Sequence, residues 1–307
     1  MSTGIWKPKS WKKNLFGPMN NPLAFVLFRK TAPLTSIQDL GRKGMAAYGV
    51  PYSGAMDWFA LRMANHLLRN HENAAALEMA MPGTEMVFEA HTELVFTGAI
   101  AEVLKNGEPT KPGKIINIKE GDQIKVSRFI QGQWLYMGIY GGFESRLVLG
   151  SRSFYPEITE KKQLIKGDQL PYKMVSHAPT NIFSSLKTNA KRWESPFVSA
   201  YPGPEWKYLN DSQKMWLSEK TFTLSEEINR MAYQLSEKLN NDLPSILTAP
   251  VYPGTVQLTP SGKLIILMRD AQVTGGYPRI LQIDPESMDN LAQKRPRDKV
   301  KFNLLIS

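Results

Sequence analysis

Apolar residues fall in short runs along most of the chain, and the dominant spacing is that of strands. Phe25-Val26-Leu27-Phe28 reads as a first buried strand. Between Met86 and Tyr140 the runs Met86-Val87-Phe88, Leu94-Val95-Phe96, Val103-Leu104, Ile116 with Ile118, Ile124 with Val126, and Trp134 to Tyr140 predict short strands broken by turns. Asn106-Gly107 is the strongest hairpin signal among them. A similar turn recurs at Glu120-Gly121-Asp122, Lys166-Gly167-Asp168 and, more weakly, Arg297-Asp298. The unbroken run Leu264 to Met268 predicts a strand buried on both faces, and Val300 to Ile306 a last strand. Helical spacing is rarer. Ala60, Met63, Ala64, Leu67 and Leu68 share one face of a helix that Asp57 is placed to cap. Asp211 is placed to cap a short helix through Leu217, and Asp284-Pro285 sets a cap and a first-turn proline for another. Ile228, Met231, Leu235 and Leu239 also fall at near-helical spacing, so local pattern alone predicts a helix there. The fold class expected is mainly β with a few helices, a β-rich α+β protein.

Length and polarity divide the chain. Its 307 residues suit about two domains. Residues 1–22 are polar, basic and proline-broken, which predicts an N-terminal extension. An N-terminal β-rich lobe over 23–175, an aperiodic linker over 176–194 and a C-terminal β-rich lobe over 195–307 complete the expected division. Hydrophobic content of 42% with 21% charged residues describes a folded globular chain. No apolar run approaches the ~18 to 20 residues of a membrane span, and the N-terminus lacks the apolar segment of a secretory signal. Without cysteine there are no disulfides, thiolate metal sites or cysteine nucleophile. A cytoplasmic location is the expectation by elimination. The net charge of +10 is dispersed rather than striped, so an anionic small molecule or an acidic protein is expected as partner, not nucleic acid and not a membrane.

Candidate chemistry begins where the strand at Leu264 ends. Arg269, Asp270, Gln272 and Thr274 put charge and hydrogen-bonding groups at its exit. Gly275-Gly276 permits positive φ or close approach of a ligand, and Tyr277-Pro278 stiffens the end of the loop. Two further polar loops, Thr35 to Arg42 and Val50 to Asp57, carry Asp39, Arg42 and Asp57. There is no Walker-type phosphate loop, dinucleotide fingerprint, nucleophile elbow or zincin helix, and the four histidines lack ligand spacing, so no metal is expected. Glu78-Met79-Ala80-Met81 has no lysine to carry biotin.

Nine segments then occur in a recognisable order: Gln38-Asp39-Leu40-Gly41-Arg42, Ser53-Gly54-Ala55-Met56-Asp57, Thr97-Gly98-Ala99, Gly141-Gly142-Phe143, Leu149-Gly150-Ser151-Arg152-Ser153, Pro202-Gly203-Pro204, Asn229-Arg230-Met231-Ala232-Tyr233, Pro253-Gly254-Thr255-Val256-Gln257 and Thr274-Gly275-Gly276-Tyr277-Pro278. Together they resemble the biotin-dependent carboxyltransferase family of allophanate hydrolase subunit 2-type proteins, over residues 25 to 305. The resemblance implies two lobes of cyclophilin-like β-barrel type. It also implies that the Ser225 to Leu235 region is a loop entering a strand, against its helical spacing. The activity it implies is that of one component of an ATP-dependent 5-oxoprolinase. The alternatives are the carboxyltransferase component of a urea or amide carboxylase, or a non-catalytic Kip-type antagonist. The implied partners are a subunit-1 or Kip-inhibitor-like chain, the B-type component of a 5-oxoprolinase, and an A-type component. The small-molecule substrate is then an amide, with ATP at or shared with a partner, and biotin enters only under the carboxylase alternative. Arg42 and Arg230 are the candidate anion contacts, since a guanidinium binds a carboxylate bidentately. Asp39 or Asp57 is a candidate base or arginine-orienting group. Gln272, Tyr233, Thr274, the Gly275-Gly276 amides and Tyr277 are candidates for holding the amide. Ala232, Gln234 and Phe154 depart from the residues usual in the family.

Overall fold

The computed structural model describes residues 23–175 and 191–305. The expected N-terminal extension, positions 176–190 of the expected linker, and Ile306 lie outside the described residues. Lys191–Glu194, the end of that linker, form a short helix rather than an aperiodic segment.

Strands dominate. In the C-terminal lobe seven of them close a barrel in the order Phe197–Pro202, Arg279–Ile283, Thr255–Leu258, Lys263–Leu267, Ala232–Lys238, Phe222–Ile228 and Lys299–Leu304, the last returning parallel to the first. The Leu264 run is the strand expected, with Leu264, Ile266 and Leu267 buried and Ile265 partly so. The segment with helical spacing is a hairpin: Phe222–Ile228 pairs antiparallel with Ala232–Lys238. Burial of Phe222, Leu224, Tyr233 and Leu235 inside the barrel overrides the local period.

The N-terminal lobe is a branched nine-stranded sheet, not a second closed barrel, among the described residues. The short strands expected at Leu94, Val103, Ile124 and Trp134 are parts of two long ones, while Ile116–Ile118 is the short strand expected. Thr92–Lys105 and Gln123–Ile139 pair antiparallel along most of their length. Their register shifts near Gly98, where a β-bulge resets the alternation that the sequence presents as a break. Asn106-Gly107 makes the expected hairpin, with φ of 51° and 88° and Lys105 opposite Glu108. The three recurrent turns share one device. Asp122, Asp168 and Asp298 each accept the N–H three residues back, from Lys119 at 2.7 Å, Ile165 at 2.9 Å and Arg295 at 2.8 Å.

Helices are few and well capped. Asp57 accepts Ala60 N–H at 2.9 Å at the head of Trp58–Leu67, and Asp284 caps Pro285–Ala292. The helix expected from Asp211 is capped one residue earlier. Asn210 accepts Gln213 N–H at 2.9 Å while Gln213 bonds back, because Asn210 is the residue with extended φ/ψ.

A single apolar cluster runs through the seam between the lobes. Leu40, Ala55, Met56, Leu61, Trp134 and Tyr136 from the N-terminal lobe pack with the barrel interior. A separate cluster fills the sheet's own concavity around Phe28, Phe88, Met137 and Tyr172. The lobes therefore share a core, and the seam is interior.

The Pro202-Gly203-Pro204 turn is fastened to the barrel by Glu205, which takes Arg279 Nε and Nη2, each at 2.9 Å, and Arg279 N–H at 2.8 Å. These bonds hold the Glu205 carboxyl below the usual carboxylate range, against the opposing effect of burial. A depressed folded-state value stabilises above the unfolded glutamate value of about 4.3, and the contribution is lost as pH falls through the folded value. Glu205→Gln is expected to lower the urea midpoint at pH 7, with the gap from wild type closing as pH is taken below about 4.

Candidate functional site

Arg230 lies in the hairpin turn after Ile228. Asn229 Oδ1 accepts Met231 N–H at 2.8 Å and Ala232 N–H at 3.1 Å, which fixes that turn. The guanidinium reaches across the seam. Nε and Nη2 grip Asp270 at 2.7 and 2.8 Å, Nη2 also donates to Gly54 O at 2.7 Å, and Nη1 bonds Glu78. Glu78 is fully buried in the strand Ala76–Met79. Its other oxygen accepts the Tyr136 hydroxyl at 2.7 Å and Met56 N–H at 2.8 Å. Burial alone would lower the Arg230 pKa, but Asp270 and Glu78 raise it above its ordinary value, so the cation is permanent. Burial pushes the Glu78 carboxyl up, with Arg230, Tyr136 and Met56 pulling against it.

Asp39 and Arg42 organise the neighbouring loop. Asp39 Oδ1 accepts Gly41 N–H at 2.8 Å, Ser151 Oγ at 2.6 Å and Ser153 Oγ at 2.7 Å, and Oδ2 accepts Arg152 N–H at 2.6 Å. Arg42, 1% exposed, donates from Nη1 to Ser53 Oγ and from Nη2 to Ser153 O, both at 2.6 Å. Its Nε is buried without a partner. Burial lowers the Arg42 pKa, while Asp39 and, across the seam, Asp270 raise it. The loops carrying these residues touch backbone to backbone. A Cβ on Gly54 would stand 2.8 Å from Gly41 N, so glycine is required where they cross.

A third group ties the Trp58–Leu67 helix to the C-terminal lobe. Asp289 accepts Trp58 N–H at 2.9 Å and Phe59 N–H at 3.1 Å, completing the cap that Asp57 begins. Arg269 bonds Asp289 at 3.2 Å, with its guanidinium 4.0 Å from the Trp58 ring centroid, a desolvated cation–π contact. Burial lowers its pKa, with Asp289 opposing. Gln293 donates to Asp57 Oδ2 at 2.8 Å and accepts Gln133 and Trp134 N–H at 3.0 and 3.1 Å. Tyr233 is fully buried. Its hydroxyl takes Trp134 Nε1 and donates to Ala292 O, both at 3.1 Å, so it is fully engaged inside the protein.

Asp39, Arg42, Asp57, Arg230 and Tyr233 thus meet at one buried seam. The remaining candidates lie on the loop that leaves it after Asp270. Gln272 and Thr274 are exposed, and Tyr277 is 39% exposed. Gly275 pairs with Ala249 in a two-stranded ribbon. Neither Gly275 nor Gly276 has positive φ, so no turn requires them; a Cβ on Gly275 would stand 2.5 Å from Gln257 Nε2, the movable end of that side chain, and would displace it. Gln257 Nε2 is itself buried without a partner. Sequence reasoning missed Glu78, Asp289, Gln293 and Gln257 as parts of this constellation. Glu78 gave a signal as a lone charge within the apolar run Ala75 to Ala80, and Gln257 only as the end of the Pro253–Gln257 segment. Among the described residues no cluster of histidine and carboxylates suits a metal.

Residues 48–304 match the family model of the carboxyltransferase domain, subdomains A and B. The chain is 32% identical to the C-type subunit of 5-oxoprolinase from Haemophilus influenzae over 273 residues, 87% of each chain. The urea amidolyase of Lachancea kluyveri is 35% identical over 131 residues, covering 42% of this chain and 7% of that protein. The crystal structure of the Kluyveromyces lactis urea carboxylase shares the fold, with a TM-score of 0.79 at 22% identity over 94% of this chain and 28% of that one.

Removing Arg230 leaves Glu78 buried and Asp270 nearly so, facing each other without a cation. Arg230→Ala is expected to cost about 3–5 kcal/mol of unfolding free energy, whereas Gln272→Ala on the exposed loop stays within about 0.5 kcal/mol. Denaturant titration of the two variants against wild type measures both.

Proposed function

The chain belongs to the family of carboxyltransferase domains built from subdomains A and B, and from that premise we propose that it is the C-type subunit of an ATP-dependent 5-oxoprolinase. The observation that carries this reading is the two-way coverage of the 5-oxoprolinase relative, 87% of both chains, against the 7% of the urea amidolyase that the same chain matches. The reaction opens a cyclic amide bearing a carboxylate: 5-oxo-L-proline, ATP and two waters give L-glutamate, ADP and phosphate. The amide is a poor electrophile with a poor leaving group, so phosphorylating its oxygen is the activation that ATP supplies.

ATP does not suit this seam. Arg230 and Arg269 are committed to carboxylates and Arg42 to Ser53 and Ser153. Asp39, Glu78 and Asp270 would oppose a triphosphate. ATP therefore belongs to a partner chain, and this chain's part is to hold the ring. Arg42 Nε, which feels the Asp270 charge, and Gln257 Nε2, against Gly275, are buried donors without a partner, as is Trp58 Nε1, and the first two suit a carboxylate and an amide oxygen. Asp270, fixed bidentately by Arg230, is the carboxylate that orients the ring N–H or the attacking water.

The second reading is a carboxyltransferase, favoured by the family model itself. Under it the same Gln257 donor fits the ureido oxygen of a biotin carried on another chain, which would supply the carboxyl group.

Reconstitution with the A-type and B-type partners separates the two. ATP-dependent glutamate release from 5-oxoproline should require this chain and be indifferent to avidin. Release that persists without the chain removes the first reading. Gln257→Leu should raise KM at least about tenfold, as expected when an amide oxygen loses a buried donor.

A further inference from the structure

We propose that the turn Leu147–Gly150 is a preformed apolar knob that docks into a partner chain beside the Arg42 side of the seam, an inference that rests on the multi-subunit reading above. Val148 and Ser151 close a two-residue turn, with Val148 N–H donating to Ser151 O at 2.8 Å and Ser151 N–H to Val148 O at 3.2 Å. Its central residues, Leu149 and Gly150, have φ of 50° and 77°. This is the conformation that Asn106-Gly107 adopts elsewhere in the chain with the residue that tolerates it. A leucine in the left-handed region is strained, and here nothing in the core offsets it. Leu149 is 50% exposed and Leu147 59%.

The knob is rigid at its base. Ser151, Arg152 and Ser153, next along the chain, are held by Asp39 through Ser151 Oγ, Arg152 N–H and Ser153 Oγ, and Ser153 O accepts from Arg42. The segment that follows the turn thus bonds the guanidinium whose Nε lacks a partner.

Charge selects the occupant. Arg146 is exposed beside Leu147, while Arg152 and Lys173 share the single carboxylate of Glu144, so the base of the knob is net positive. A second copy of this chain, at +10, would be repelled. The matching surface is an apolar socket rimmed by carboxylates on a different protein of the complex.

The test uses the full-length chain and the A-type and B-type 5-oxoprolinase partners encoded in the same genome, with affinity read by titration calorimetry. Leu149→Asn is expected to raise the Tm of the isolated chain by about 2–4 °C by relieving the turn. It should also weaken binding to one partner at least about tenfold. Arg146→Glu should slow association and reverse its salt dependence. A smaller loss of affinity in Leu149→Asn overturns the knob, as does a dimer of this chain that the substitution disperses. A fall in Tm alongside lost binding also overturns it, since the turn would then serve the fold. If the wild-type complex forms but releases no glutamate, the reaction assigned above fails while the knob stands. If the wild-type chain binds neither partner, both fail.

Discussion

The grip of Arg230 on Asp270, Glu78 and Gly54 O is the contact on which the two-lobed arrangement depends. Three groups from distant parts of the chain share one guanidinium in an interior where an isolated charge would be prohibitively unstable. Desolvating these ions costs several kcal/mol each, and only dense hydrogen bonding offsets it. Glu78 has that bonding from Tyr136 and Met56, and Arg230 has it from both carboxylates. Such a cluster adds little net stability over an apolar seam of equal volume. Its consequence is geometric, because a slip of one lobe against the other strands a buried charge.

Two further ties obey the same logic. The Trp58–Leu67 helix begins in the sheet lobe, but its first N–H groups are taken by Asp289 of the barrel lobe as well as by its own Asp57. The bulge in Gln123–Ile139 frees the N–H groups of Gln133 and Trp134, and Gln293 accepts both. The N–H groups of Trp58, Phe59, Gln133 and Trp134 belong to one lobe and find an acceptor in the other. Backbone hydrogen bonding thus acts with the shared apolar cluster and the Arg230 grip to fix the relative orientation.

The sequence made local devices legible and long-range ones opaque. Asp57, Asn106-Gly107 and Asp284-Pro285 act through neighbours within three residues, so their spacing was enough to read them. Resemblance to a family, not periodicity, turned the segment around Ile228 from helix to a loop entering a strand, and the structure makes it a hairpin, since the barrel interior that decides it is absent from any local window. The long strands read as fragments because the bulge near Gly98 shifts the alternation. Asp39, Arg42, Asp57, Arg230 and Tyr233 meet at the seam while Gln272, Thr274 and Tyr277 stand on an exposed loop, and Arg230 and Tyr233 prove to be held within the protein. Asp289 and Gln293 were invisible because on and just after a short amphipathic helix they look like solvent-facing polar residues, while their partners in the other lobe lie 159 to 236 positions away.

That distribution bears on where chemistry is left to happen. A seam whose arginines and carboxylates satisfy one another is a rigid frame, and catalysis needs donors that are positioned but not committed. Arg42 Nε and Gln257 Nε2 meet that description, one anchored by the Asp39 loop and the other beneath Gly275. Both sit next to segments that carry exposed apolar side chains, Leu147 and Leu149 on one side and Leu247, Tyr252 and Tyr277 on the other. Under the proposed ring-opening reading, water reaching a small amide held there would weaken the two donors it depends on. On that reading the fold supplies orientation, and exclusion of solvent would come from a surface laid over those apolar residues.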